Sequence, residues 1–225
     1  MKRRTLTLAL IVCMVAIIGM GSLAYFQSHK TVTNYFAVAG VDDPTDPSAT
    51  IDPDTLFSIK LEETDVSKTD GSKTESGNTY TGILPGDVLT KDPTVTNTGK
   101  YDAWVRVNVV VSDAAAWTAA CQKHEITNLE NIFSGYVDAD WTRYDAPAAD
   151  TAADTLTYTF YLNKELAPEA SAVLFEKMTI PSAFDSDDLS SLATFNLEIT
   201  AEAIQVRNTA DNAKDAFALW TAENP

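Results

Sequence analysis

The chain has 225 residues and carries 32 acidic residues against 16 basic ones, a formal net charge of −16. A surface this acidic repels nucleic acids and anionic lipids, so neither is expected as a partner. Of the two cysteines, Cys13 lies in an N-terminal apolar run and only Cys121 lies in the body of the chain. An intramolecular disulfide is therefore not expected once that run is removed, and stability must come from a packed core.

The first 24 residues have the layout of a secretory signal peptide. Basic residues at positions 2–4 precede an uncharged apolar run, which ends in the small residues Ser22 and Ala24. Small side chains at these positions suit a signal peptidase, so we predict cleavage between Ala24 and Tyr25. Because the uncharged run is nearly long enough to span a bilayer, an uncleaved anchor is the alternative. Cleavage would leave 13 basic residues and a net charge of −19.

Residues 25–39 predict a β-strand, since apolar residues recur on one parity. The residues that would form the apolar face are Phe26, Val32, Phe36 and Val38. Residues 40–55 are rich in aspartate and proline and predict a linker. Their aspartates lack the D-x-D-x-D-G order of a calcium loop, which favours a solvated linker and leaves calcium binding open.

The main domain is predicted to begin at residue 56. Alternating or β-rich segments predict strands at 56–61, 92–99, 103–111, 155–162, 172–180 and 195–206. In the segment 103–111 valines alternate with other residues, which indicates one aliphatic face turned to a core. In the last strand the apolar residues change parity after Ala203, which predicts a β-bulge there.

Two segments predict short helices. Residues 113–125 combine many alanines with Ser112 or Asp113 as an N-cap, and residues 211–220 place apolar side chains three or four residues apart. Strands separated by turns, without β-α-β alternation, favour an antiparallel architecture. We therefore predict an all-β fold, a jelly-roll-like antiparallel β-sandwich over residues 56–225 with two short helices, preceded by the signal peptide.

Catalytic and metal-binding motifs are not found. His29 and His124 are the two histidines of the chain, and neither lies in a His-Glu-x-x-His motif. Cys121 and His124 lie one helical turn apart, but no third catalytic group is evident. Acidic clusters such as 185–188 are expected by chance in so acidic a chain. We predict no catalytic residues, no metal site, no cofactor and no enzymatic activity.

Four aromatic residues offer an alternative, because aromatic side chains can line a sugar-binding groove. They are Trp141, Tyr144, Tyr158 and Tyr161. Core packing competes with this interpretation, since Tyr158 shares its strand face with Leu156 and Phe160. A monomeric cell-surface adhesin or carbohydrate-binding β-sandwich therefore stays open as a second function.

Several short motifs, spread over most of the chain, can be compared with a known family by their order and spacing. They are Gly21-Ser22-Leu23-Ala24-Tyr25-Phe26, Thr33-Asn34-Tyr35-Phe36, Leu84-Pro85-Gly86-Asp87-Val88-Leu89-Thr90-Lys91, Val95-Thr96-Asn97-Thr98-Gly99, Ala103-Trp104-Val105-Arg106-Val107, the region 141–161, Leu174-Phe175, Ile180-Pro181 and Ala201-Glu202-Ala203-Ile204-Gln205. In this order and spacing they resemble the TasA/camelysin family, whose precursors carry a signal peptide processed by the dedicated peptidase SipW.

The resemblance implies a secreted subunit that polymerises with copies of itself into fibres of the extracellular or biofilm matrix. It also implies a jelly-roll fold and a mature N-terminal segment that completes the sheet of the next subunit. The predicted strand at 25–39 and the linker after it agree with such a donated strand, although the same strand could pair within its own sheet. A SipW-type signal peptidase and matrix components would be the other partners, with no membrane association after cleavage. Some family members have been labelled metallopeptidases, and a secreted peptidase is the most distant alternative because no ligand motif supports it.

Overall fold

The structure is a computed structural model that describes residues 27–31, 37–38, 57–66, 71–74, 77–127, 132–136, 139–143, 146–192, 195–207 and 209–223. Within these ranges the chain is mostly antiparallel β-sheet with three short helices, which confirms the predicted all-β class. None of the helices in the described ranges has the length and apolarity needed to cross a membrane. The predicted signal peptide, its cleavage point and most of the linker lie outside these ranges.

The elements follow one another along the chain in a fixed order. The strands are β1 (Gln27–Thr31), β2 (Ala37–Val38), β3 (Phe57–Glu62), β4 (Ser72–Thr74), β5 (Gly77–Thr79), β6 (Val88–Thr90), β7 (Thr94–Asn97), β8 (Ala103–Ser112), β9 (Phe133–Ser134), β10 (Trp141–Thr142), β11 (Ala148–Asp150), β12 (Thr155–Leu162), β13 (Ser171–Val173), β14 (Lys177–Thr179) and β15 (Leu197–Gln205). The helices are α1 (Ala114–Lys123), α2 (Ser186–Ser191) and α3 (Ala213–Glu223).

The strands form a large first sheet and three smaller ones. The first sheet has the order β1-β15-β8-β12-β10, with β11 also paired to β12. The second sheet has the order β13-β7-β3-β2, the third β6-β14-β9, and β4 and β5 form a separate hairpin. All pairings between these strands are antiparallel, as the sequence predicts.

Strand β8 is the centre of the first sheet and carries much of the core. Its odd-numbered residues from Ala103 to Val111 are fully buried, which confirms the aliphatic face predicted from the alternation. Val107 lies between Phe160 of β12 and Ala201 of β15 in the ladder, and both of those side chains are buried too. The core therefore lies between this face and the second sheet, where Ile59 and Val95 are fully buried.

The Pro85-Gly86 pair is typical of a turn, and the structure has a turn at residues 84–87, before β6. Gly86 has a φ of 89°, and the backbone N–H of Asp87 donates to the carbonyl oxygen of Leu84 at 3.1 Å. Proline fixes φ at the first central position, and a positive φ at the second favours glycine. The Asp87 carboxylate also accepts from the backbone N–H of Leu84 at 2.7 Å, so one residue closes the turn twice.

Asn97 holds the turn that links the two large sheets. Its side-chain amide donates to the carbonyl oxygens of Tyr101 and Leu166, both at 2.8 Å, and its oxygen accepts from Gly99 N–H at 3.0 Å. Because Asn97 is fully buried, each of these bonds replaces one that water would otherwise supply. The asparagine in the segment 95–99 therefore has a structural role.

Three expectations about the elements are wrong. No β-bulge interrupts β15, since its ladder with β8 runs in constant register from Leu197 to Gln205. Ile204 is buried on the opposite face, across the ladder from Trp104, which packs against Ala213 and Ala216 of α3, and this second buried face explains the change of parity. The segment 172–180 forms β13 and β14 in different sheets. The sequence also predicts two helices, and α2 adds a third within the described ranges.

The N-cap of α1 differs in detail from the prediction. Asp113 precedes the helix, but its φ is 53° and its side chain makes no capping bond. The Asp154 carboxylate instead accepts from the backbone N–H of Ala115 at 3.0 Å. A residue 39 positions away in the chain thus caps this helix, which local sequence patterns do not reveal.

Candidate functional site

Strand β15 has a different neighbour on each side. It pairs with β8 over nine residues, from Leu197 opposite Val111 to Gln205 opposite Ala103. On its other side β1 pairs with it over five residues, from Gln27 opposite Ile204 to Thr31 opposite Thr200. We call this second side of β15, at residues 200–204, the β15 edge. The predicted N-terminal strand thus pairs within its own chain, at the border of the first sheet.

The β15 edge is lined by small side chains on its core face. Ala201 and Ala203 are fully buried there, and the register places Lys30 opposite Ala201 and Ser28 opposite Ala203. The five residues of β1 read Gln-Ser-His-Lys-Thr and include no apolar residue. Backbone pairing therefore joins β1 to the edge, with no apolar side chain contributed by those five residues.

The next piece of the N-terminal segment pairs with the other large sheet. In β2, Ala37 lies opposite Ser58 and Val38 opposite Phe57, at the border of the second sheet. Strand β1 also lies against β3. Strand β1 thus lies at the border of the first sheet and β2 at the border of the second, where its partner strand carries the buried residues Phe57 and Ile59.

The other face of β15 carries a buried ion pair. The Arg106 guanidinium on β8 binds the Glu202 carboxylate on β15, and the Asn108 amide donates to the same carboxylate at 3.3 Å. Helix α3 covers the pair, with Phe217 4.3 Å below the Arg106 guanidinium. The register places His29 of β1 opposite Glu202. This face of the β15 edge thus carries a buried charge beside Ile204, unlike its alanine face.

The structure describes only one of the predicted assembly residues. Val38 lies in β2 and pairs with Phe57 through the backbone. Phe26, Val32 and Phe36, like the cleavage residues Ala24 and Tyr25, lie outside the described residues. The assignment of these positions stays a prediction.

The sequence does not predict a polar cluster that lies between α1 and α2. Ligand atoms of His124, Asp185 and Asp188 lie within 4.8 Å of one another, the geometry of a group that could hold a metal ion. The sequence shows the histidine and the aspartates about sixty residues apart, and nothing local indicates that they meet. A prediction that α2 is a helix packed on α1 would have been needed to find them.

Lys123 already supplies a cation to this cluster. Its ammonium lies 2.6 Å from the Asp185 carboxylate and 3.0 Å from the Asp188 carboxylate, and His124 Nε2 lies 2.7 Å from Asp188. The backbone N–H of Asp185 donates to the Asp188 carboxylate, and with His124 and Lys123 it holds the pKa of that carboxyl well below its usual range. The hydrogen bond from Lys123 likewise lowers the pKa of Asp185. The cluster joins two helices through ionic and hydrogen bonds, and the lysine compensates one of its two negative charges.

Three of the four aromatic residues considered for a sugar groove are described, and these three do not share a surface. Trp141 is fully buried and donates from its indole nitrogen to the Val173 carbonyl oxygen at 2.8 Å. Tyr158 faces the core side of β12, whereas Tyr161 packs beside Phe217 on the other face. Tyr144 lies outside the described residues. The three described side chains thus form no common platform.

Cys121 is half-buried on α1. Burial raises the pKa of its thiol to about 11, so the thiol stays protonated at neutral pH. His124 engages Asp188. The described residues thus give the pair Cys121 and His124 no arrangement for nucleophilic catalysis.

Comparison with protein families, with characterised proteins and with solved structures finds no match to this chain.

Proposed function

We propose that the protein is an exported structural subunit that polymerises with copies of itself into fibres of the extracellular matrix. Each subunit would release β1 from its own β15 edge and donate the same segment to the edge of a neighbour. The proposal includes removal of the signal peptide between Ala24 and Tyr25 by a SipW-type peptidase. It also includes a jelly-roll arrangement of the strands, finer than the all-β sandwich described above.

The pairing of β1 carries the proposal. Its five residues add no apolar side chain, so exchange between subunits replaces backbone hydrogen bonds one for one. The segment between Val38 and Phe57 is rich in aspartate and proline, which suits a linker rather than a packed element. Exchange of an identical element between subunits costs little free energy and converts monomers into assemblies. Head-to-tail contacts then produce filaments when the successive subunits do not close into a ring.

Apolar residues on either side of β1 would strengthen a donated strand. Phe26 and Val32 share the sequence parity of Ser28 and Lys30, which the register places opposite Ala203 and Ala201. In the proposed joint these two apolar side chains, with Phe36 and Val38, enter the space beside the alanines and Phe57 of the neighbour. Burial of each large apolar side chain contributes about 1.5–3 kcal/mol before ordering costs.

Disulfide trapping between two subunits tests the exchange. Thr31 and Thr200 lie directly opposite each other in the ladder, and Thr200 is partly exposed. We would prepare Thr31→Cys and Thr200→Cys as separate variants, each with Cys121→Ser, and mix them under assembling and then oxidising conditions. Exchange places one cysteine from each variant in register, so the mixture should yield disulfide-linked heterodimers on non-reducing gels.

A cysteine out of register is the matched control. Gln205→Cys lies five positions along β15 and pairs with Ala103 of β8, so it should give little product with Thr31→Cys. Electron microscopy of the same samples reports fibres independently. Fibres without cross-linking between Thr31→Cys and Thr200→Cys would refute strand exchange. A monomer under all assembly conditions would refute the structural role altogether.

A further inference from the structure

Lys91 and Glu63 form a buried ion pair next to the separate hairpin of β4 and β5. The Lys91 ammonium lies 2.5 Å from the Glu63 carboxylate, and the two side chains are only 8 % and 2 % exposed. Lys91 follows β6 and Glu63 follows β3, so the pair joins segments 28 residues apart. The mutual attraction of two buried ions often fails to recover their cost of desolvation. Stabilisation of the fold is therefore a weak explanation for this pair.

The side chain of Asn78 on β5 contacts the same carboxylate. Its amide nitrogen donates to the Thr64 carbonyl oxygen at 3.0 Å and to one carboxylate oxygen of Glu63 at 3.4 Å. The other carboxylate oxygen of Glu63 accepts from Lys91. One carboxylate thus lies between the amine of Lys91 and the carboxamide of Asn78.

Apolar side chains and an open space adjoin this group. Asn78 and Lys91 both line a cavity of about 190 Å³, whose described walls include the buried Leu89 and Met178. Transfer of a proton from Lys91 to Glu63 removes both charges, so in such surroundings it costs less free energy than in water. The neutral amine that results is the nucleophilic form of a lysine.

We propose that Lys91 and Asn78 form an intramolecular amide bond between their side chains, with Glu63 as the catalytic base and acid. The Glu63 carboxylate takes a proton from the Lys91 ammonium, and the neutral amine attacks the side-chain carbonyl carbon of Asn78. Glu63 gives this proton to the amide nitrogen of Asn78 as the bond between that nitrogen and the carbonyl carbon breaks. A second proton passes from the attacking nitrogen through Glu63 to the departing ammonia, which leaves as ammonium. One amide bond replaces another, so the reaction needs no oxidant and no cofactor.

The fold makes this reaction intramolecular, which allows an unreactive amide to serve as the electrophile. Well-oriented groups in one molecule react with effective concentrations of about 10⁵–10⁸ M. Strands β4 and β5 pair with each other in a separate sheet, so the bond fastens their hairpin covalently to the segment that follows β6 of the third sheet. The reacting groups are not part of the β15 edge, and the test of this bond is independent of strand exchange.

Tryptic peptide mapping of the purified and denatured protein tests the bond. In an unlinked chain trypsin cleaves after Lys73, Lys91 and Lys100, which gives the peptides 74–91 and 92–100. An amide at Lys91 removes the charge that trypsin recognises, so the linked chain should give one peptide, 74–100. This peptide should be lighter than its sequence mass by about 17 Da, because ammonia is lost. Single backbone cleavages between 78 and 91 should release no fragments, since the new bond closes a ring there.

Three variants serve as controls. Lys91→Arg keeps the charge and the trypsin site but lacks the primary amine, so it should give the peptide 74–91 at full mass. Glu63→Gln keeps the size of the side chain without the base, and it should leave Lys91 unlinked in a protein whose circular dichroism matches the parent. Lys164→Arg is the matched control, since Lys164 also pairs with a carboxylate, that of Asp140, but is 57 % exposed. It should leave the linked peptide 74–100 unchanged.

The proposal is overturned if the parent gives the peptides 74–91 and 92–100 at full mass. It is also overturned if ammonia is lost while trypsin still cleaves after Lys91, because that result indicates a succinimide at Asn78 instead of a cross-link. A folded Glu63→Gln protein that links as completely as the parent would overturn the role of Glu63.

Discussion

The two neighbours of β15 are joined to it by the same kind of antiparallel ladder but by different side chains. On the β8 side, Ile199 lies opposite Val109 and Ala201 opposite Val107, and all four are fully buried. On the β1 side, the residues opposite Ala201 and Ala203 are a lysine and a serine. The contact between β15 and β8 is therefore part of the core. The five residues of β1 bring no apolar residue, so its contact with β15 depends on backbone pairing.

This difference indicates how β15 can have a permanent neighbour on one side, β8, and an exchangeable neighbour on the other side, β1. A backbone hydrogen bond contributes about 0.5–1.5 kcal/mol net, and any extended segment can supply it. Burial of specific apolar side chains cannot be reproduced by another segment without the same shape. We expect variants on the β8 side to affect folding and variants on the β1 side to affect assembly.

The largest loss of stability should come from Ile199→Ala, which truncates a side chain on the core face of β15. Ile199 is fully buried between the sheets, so its truncation leaves a cavity and should lower the free energy of unfolding by about 4 kcal/mol. Urea unfolding measures the loss. Thr200→Ala, the next residue on the opposite face, should change stability by less than about 0.5 kcal/mol. Equal losses from both variants would contradict the assignment of the core to one face.

Arg106→Ala should cause the next largest loss of stability. Arg106 lies on the face of β8 and β15 that α3 covers. The substitution removes the Arg106 guanidinium from the buried Glu202 carboxylate, which should cost about 3 kcal/mol. This loss of stability is near the low end for buried pairs because 17 % of the Arg106 side chain is exposed. The double variant Arg106→Met with Glu202→Leu should recover much of the loss. A single variant as stable as the parent would mean that the pair is solvated.

Sequence reasoning succeeds where the determinant is local. The alternation in β8 and β12 and the Pro85-Gly86 turn depend on neighbouring residues, and the structure contains all three. It fails where a distant element decides. Helix α3 packs on Trp104, which lies opposite Ile204, and the second buried face gives the same change of parity as a bulge. Asp154, far away in the chain, caps α1. The cluster at Asp188 likewise joins segments far apart in the chain, so no spacing rule reveals it.

Removal of residues 25–39 should have a smaller effect on folding than either core variant. The truncated chain loses the β1 and β2 ladders but none of the described core, and it no longer loses the entropy of ordering this segment. We therefore expect a folded monomer destabilised by about 2 kcal/mol or less. It should form no fibres. Val32→Asp with Phe36→Asp should likewise block fibres while leaving the monomer folded. A truncated chain that unfolds, or that polymerises like the parent, would show that the segment belongs only to its own domain.

The smallest effect should come from Lys123→Met, which tests a contact far from β15. The hydrogen bond from Lys123 lowers the pKa of Asp185, and Lys123 adds to the backbone N–H of Asp185 and to His124 in lowering the pKa of Asp188. Both carboxylates therefore contribute stability when ionised. A group with a lowered folded-state pKa stabilises the protein above its unfolded pKa of about 4, and this contribution is lost as the pH falls. The parent should thus be more stable than the variant at neutral pH, and the difference should narrow as the pH falls below about 4. Lys164→Met, which breaks the exposed pair with Asp140, should change stability little at either pH. If Lys123→Met were equally destabilising at low pH, packing of the lysine chain would explain its role instead of its charge.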